Sequence, residues 1–68
     1  MNKTTLEKFG DKVREERHKK GLSQEELASR AGVHRTCIGM IERAEKNITL
    51  SNIEKIAKAL GIKPSELI

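Results

Sequence analysis

A chain of 68 residues has room for one domain, and a body of that size buries roughly 60% of the surface its unfolded chain exposes, which leaves little depth for an enclosed active site. Charged residues make up 35% of it and the net charge is +4, so the composition favours a polyanionic partner over an acidic one. Phe9 is its one aromatic residue, so the chain lacks the ring platforms on which single-stranded bases stack, and binding to a duplex stays open.

Gly21, Gly32, Gly61 and Pro64 punctuate the chain, and between them the apolar residues recur at helical intervals, which predicts an all-α domain without strands. The first helix is expected over residues 5–20, with Leu6, Phe9, Gly10, Val13 and Arg17 on one stripe, Thr4 or Thr5 as N-cap, and Lys19, Lys20 and Gly21 closing it. Ser23 and Glu26 have the spacing of a capping box for a second helix that ends near Ala31. Gly32 can supply the positive φ of a tight interhelical turn and Val33 an apolar plug, before a third helix over residues 35–43 with His34 at its N-cap. Thr49 caps a fourth helix that carries Leu50, Ile53, Ile56, Ala57 and Leu60 inward, Gly61 ends it, and Pro64 opens a short terminal helix over residues 64–67. The expectation is a compact five-helix domain over residues 1–68, with no internal repeat or linker.

Residues 24–43 have the pattern of a helix-turn-helix. Leu27, Ala31, Val33, Ile38 and Ile41 are apolar, Gly32 sits at the turn, and Ala28 is small where two crossing helices would be forced apart by a larger side chain. An α-helix advances about 100° per residue, so the third helix divides into two arcs. Ala44, Cys37, Ile41 and Ile38 form the inner arc, and Arg35, Thr36, Gly39, Met40 and Arg43 the outer one. Two arginines and a hydroxyl on an exposed arc suit the base edges of a DNA major groove.

Cys37 has no second cysteine to pair with and is expected as a small buried hydrophobe; with His18 and His34 it makes no zinc-ligand spacing, so no metal or cofactor is expected. No paired carboxylates, nucleophile with base or phosphate loop appears, which argues against an enzyme. The run Arg17, His18, Lys19 and Lys20 reads first as a solvated helix end favoured by the macrodipole, with direct phosphate contact as its alternative. No apolar run reaches the roughly 20 residues of a membrane span and no leader is apparent, so a cytoplasmic protein is expected. Ile62, Leu67 and Ile68 leave apolar surface at the C-terminal end, which with the fourth helix predicts a two-fold dimer, unless Leu67 closes the core of its own chain.

Phe9-Gly10, Val13-Arg14, Arg17, residues 21–28, Gly32-Val33 and Ile41-Glu42-Arg43 together resemble the phage repressor and Cro-like (XRE-type) helix-turn-helix family over almost the whole chain. His34-Arg35-Thr36, Ile38-Gly39, residues 47–50 and residues 52–57 are more narrowly similar to the controller proteins of restriction-modification systems. The resemblance implies a lambda-repressor-like fold and a sequence-specific, homodimeric transcription regulator that binds a near-palindromic operator in double-stranded DNA. Carried over, it implies base contacts from Arg35 and Thr36, with Gly39 and Met40 beside them, and backbone contacts from Gln24, Ser23, His34, Arg43, Lys46, Asn47, Ser51 and Asn52. It also implies an ion pair between Arg17 and Glu42, and a contact of Glu25 with RNA polymerase. No small-molecule ligand is implied. The chain departs from the family at Ala44, where glycine is usual, and at Cys37, where controllers often carry an aromatic residue. A phage-type repressor or antitoxin-like autoregulator is the rival within the same chemistry, and a protein-protein adaptor without DNA the rival outside it.

Overall fold

The structure is a computed structural model that describes residues 4–45 and 48–67. Four α-helices follow one another, α1 (Thr5–Lys19), α2 (Gln24–Ala31), α3 (Arg35–Glu42) and α4 (Leu50–Leu60), and no strand occurs among the described residues. The expected fifth helix is instead a single 3-10 turn, Pro64–Glu66. Its backbone bonds, Glu66 N to Lys63 O and Leu67 N to Pro64 O, each span three residues, the closure of a 3-10 turn rather than an α-helix.

The helix starts are written in their caps. Thr4 and Glu7 exchange side-chain and backbone hydrogen bonds at 2.8 and 3.1 Å, a capping box that decides between the two threonines. Ser23 and Glu26 do the same at 2.9 and 3.0 Å, and Thr49 Oγ1 accepts from Asn52 N at 3.1 Å. These bonds satisfy amides that the first helical turn leaves without intrahelical partners. His34 stands at the N-cap of α3 without a side-chain cap bond.

Gly32 takes φ +72°, and the chain turns there from α2 into α3. The core is continuous from Phe9 and Val13 of α1 through Leu27, Ile38 and Ile41 to Ile56 and Leu60. Two apolar residues depart from expectation. Leu50 is 77% exposed, because it opens α4 before that helix reaches the core with Ile53. Leu67 is 2% exposed: of its two expected places the 3-10 turn gives it the core of its own chain and not the dimer surface. Of the other two C-terminal residues, Ile62 is half-buried against the core and Ile68 lies outside the described residues.

The third helix ends at Glu42, one residue earlier than expected, and Ala44 then adopts φ +57°. This is the position at which the resemblance calls for glycine. An L-residue with a Cβ is strained there by about 1 kcal/mol. Ala44→Gly is therefore expected to raise stability by up to about 1 kcal/mol, read as a melting temperature higher by roughly 4–8 °C in a domain of this size. A lower melting temperature would show that the methyl group is held by packing instead.

Candidate nucleic-acid interface

Along α3, Cys37, Ile38 and Ile41 face the core while Arg35 and Thr36 are exposed, as is Arg43 just beyond its end. Ser23, Gln24, Glu25, Arg35, Thr36, Gly39 and Arg43, with Arg17 at the back, surround one open cleft of about 500 Å3. Six residues expected to contact DNA, from both helices of the motif, thus meet at one place. A neighbouring hollow is lined by Val33, His34, Thr36, Cys37, Met40 and Asn52, which brings three more of them beside the first group. Ser51 is exposed one position before Asn52 in the first turn of α4, and Lys46 and Asn47 lie outside the described residues.

Gly39 is on the outward arc yet buried. A Cβ built on it would stand 3.1 Å from Arg43 Nη1 and 3.6 Å from Gln24 Oε1. The missing side chain leaves room for the two longer ones to cross above it, so Gly39 shapes the floor of the cleft. Met40 is half-buried at the edge of the hollow.

The cleft is fastened to the body by the expected ion pair. Arg17 Nε and Nη2 donate to the two carboxylate oxygens of Glu42 at 2.7 and 3.0 Å, a bidentate arrangement, while Arg17 Nη1 donates to Leu22 O at 2.9 Å. Two further participants were not foreseen. Gln24 Nε2 donates to Glu42 Oε1 at 3.1 Å, and Arg14 Nη2 donates to the Glu42 carbonyl at 2.8 Å, with its Nε 3.6 Å from Glu42 Oε1. Arg14 had a signal, because it stands between Gly10 and Arg17 on the same helical stripe. Burial alone would push the Glu42 carboxyl up. Hydrogen bonds from Arg17 and Gln24 and the charges of Arg17 and Arg14 outweigh it and hold Glu42 below the ordinary glutamate range. The bonds to Glu42 likewise raise Arg17 above its ordinary value, against the effect of burial.

Carboxylates also meet Arg35 and Arg43, the two arginines on the outer side of α3. Arg43 Nε donates to Glu45 Oε1 at 2.9 Å, and Arg35 Nη1 stands 3.8 Å from Glu25 Oε2. Among the described residues no group of His, Cys, Asp and Glu is arranged to hold a metal ion, and no helix is long and apolar enough to cross a membrane.

Comparison with known proteins agrees with this geometry. The profile of the Helix-turn-helix family matches residues 13–67, which include all of α2, α3 and α4. The chain belongs to the helix-turn-helix family. Similar members include the control protein C.BamHI of Bacillus amyloliquefaciens, 52% identical over 61 residues that span 88% of this chain and 75% of that protein. The control protein C.SmaI of Serratia marcescens is 45% identical over 60 residues, spanning 88% of this chain and 71% of that protein. Among solved structures, the restriction-modification controller protein C.AhdI from Aeromonas hydrophila superposes with a TM-score of 0.91 at 51% identity, covering 93% of this chain and 96% of that one. As a helix-turn-helix protein with these relatives, the chain is a DNA-binding transcriptional regulator, similar to restriction-modification controllers along most of its length.

Proposed function

We propose that this protein is the homodimeric controller of a restriction-modification system, a cytoplasmic regulator without cofactor or catalysis that binds a near-palindromic operator at its own promoter as activator and repressor. The observation that carries the reading is the meeting of Ser23, Gln24, Arg35, Thr36 and Arg43 around one cleft on the outer side of α3. In this reading α3 enters the major groove. The Arg35 guanidinium donates two parallel bonds to O6 and N7 of a guanine, and Thr36 meets the neighbouring base edge or phosphate. Gly39 leaves the space in which the Gln24 and Arg43 side chains lie over the helix beside the base contacts, and Met40 offers an apolar contact at the edge of the face.

In the same reading Gln24, Ser23, His34, Arg43, Lys46, Asn47, Ser51 and Asn52 contact phosphates. Such contacts set register rather than sequence. Gln24 is suited to this because its amide nitrogen is tied to Glu42, which leaves its oxygen and the N-terminal turn of α2 toward the backbone. A dimer built on α4 and Ile62 separates the two reading helices by about 34 Å, one turn of B-DNA. Glu25, exposed at the start of α2, is the proposed contact with RNA polymerase.

Footprinting on the DNA upstream of the protein's own coding sequence tests the reading. Two protected inverted repeats ahead of a restriction endonuclease gene are expected, and absence of any protected repeat would refute it. On that operator, Arg35→Ala should lose about 1–3 kcal/mol of discrimination at one base pair, while Gln24→Ala should weaken all sequences alike. Equal losses from both variants would contradict this division of roles. Sedimentation at high micromolar protein should show dimers, and monomers would count against the proposed interface.

A further inference from the structure

We propose that Glu25 and Glu45 are specificity residues: by holding the exposed arginines of the reading face, they suppress binding to DNA in general while leaving binding to the operator. The proposal rests on the reading that α3 meets DNA, and it concerns what the neighbouring carboxylates do there.

Both arginines of the face are engaged by a carboxylate from outside α3. Glu25 comes from the first turn of α2 and stands 3.8 Å from Arg35, and Glu45 follows α3 and accepts from Arg43 at 2.9 Å. The four side chains are between 53% and 76% exposed, so the pairs add little to folding stability. Their effect is on the field that an approaching polyanion meets. Residues 23–45, which contain the whole motif, carry three cations (Arg30, Arg35, Arg43) and four carboxylates (Glu25, Glu26, Glu42, Glu45), a net charge of −1. The positive surplus of the chain lies elsewhere, +3 in residues 1–22 and +2 in residues 46–68.

Two of those four carboxylates have structural duties, Glu26 in its capping box and Glu42 in the buried network. Glu25 also complements the N-terminal end of α2, but the side chain it approaches is Arg35, and Glu45 accepts from Arg43. Non-specific binding draws its affinity from neutralised phosphates, and a carboxylate beside an arginine offsets the very charge that would do the neutralising. An operator complex differs. A guanidinium has five N–H donors, so Arg35 can serve a guanine with two while others stay with Glu25, and Arg43 can give its Nη donors to the one phosphate that the operator register sets while Nε stays with Glu45, each pair then aiming its arginine. The carboxylates thus penalise the loose complex more than the specific one.

The test uses Glu25→Gln, Glu45→Gln and the double variant, with Glu15→Gln on the exposed side of α1 as a control for charge alone. Affinity is measured by fluorescence anisotropy over a salt series, on the duplex carrying the protected repeats and on a scrambled duplex of the same length and composition. The double variant is expected to bind the scrambled duplex roughly tenfold more tightly at low salt, with a salt slope steeper by about one to two, while operator affinity moves less than about threefold. Glu15→Gln should leave the ratio of the two affinities unchanged. Equal gains on both duplexes, or a Glu15→Gln variant that lowers the ratio as much, would overturn the proposal. Wild-type protein that fails to distinguish the two duplexes would instead refute the reading of the operator itself.

Discussion

Replacing Gly10 by alanine is expected to destabilise the fold by about 3 kcal/mol or more, although the same change in an exposed helix interior would stabilise it by about 1 kcal/mol. The reversal comes from one crossing. A Cβ on Gly10 would stand 2.5 Å from the Ile41 carbonyl oxygen and 3.1 Å from that of Glu42. Both atoms are backbone, so neither can rotate away, and α1 and α3 would have to separate. That movement would loosen Val13 and Ile41 in the core and pull Arg17 from Glu42 at the same time. A domain of this size has a total stability of only about 3–10 kcal/mol, so the variant should be partly unfolded at physiological temperature. Thermal melting is expected to fall by roughly 12–24 °C, on the scale of 4–8 °C per kcal/mol. A variant that melts with the parent would show that the two helices can part at no cost.

Capping chemistry made most of the helices legible, since Ser23, Thr49, Gly32 and Gly61 each act where a local rule predicts. What the chain does beyond one helix length was harder to read. Leu50 shares its angular position on α4 with Ile53 and Ala57, but a helical wheel carries no information on where the helix axis leaves the core. Leu67 was one of three apolar residues near the C-terminal end, and only the 3-10 turn at Pro64–Glu66 decides that it folds inward. At the candidate site, Arg35, Thr36 and Gln24 could be named because the motif fixes their register. The roof over Gly39, the tie between Gln24 and Glu42, and the pairing of Arg43 with Glu45 depend on how far long polar side chains reach between segments. Spacing along the sequence does not record that reach.

Breaking the Arg17–Glu42 pair from one side is expected to cost about 3–5 kcal/mol, because the survivor is a charge in a desolvated place. In Glu42→Ala the Arg17 guanidinium, 11% exposed, keeps only the Leu22 carbonyl, and Gln24 loses its acceptor. Arg17→Met with Glu42→Leu removes both charges and refills the space, and its stability should return to within about 2 kcal/mol of the parent. DNA affinity should not return with it, since Gln24 is no longer held by Glu42 and its amide is free to swing. Recovery of both stability and affinity in the double variant would mean that the network does not orient Gln24. Acid provides an independent reading of the same pair. Glu42 is held below its ordinary value, so its contribution is present above the unfolded carboxyl pKa of about 4.3 and is lost as pH falls through the lower folded value. Glu26, lowered by the backbone and side-chain bonds of its capping box with Ser23, loses its contribution in the same direction. Urea unfolding followed from about pH 7 to about pH 3 should therefore show a fall in stability that Glu42→Gln makes shallower without abolishing, because the capping carboxylate still titrates. An unchanged slope in that variant would mean that Glu42 is no better stabilised folded than unfolded, and that the bidentate pair serves orientation alone.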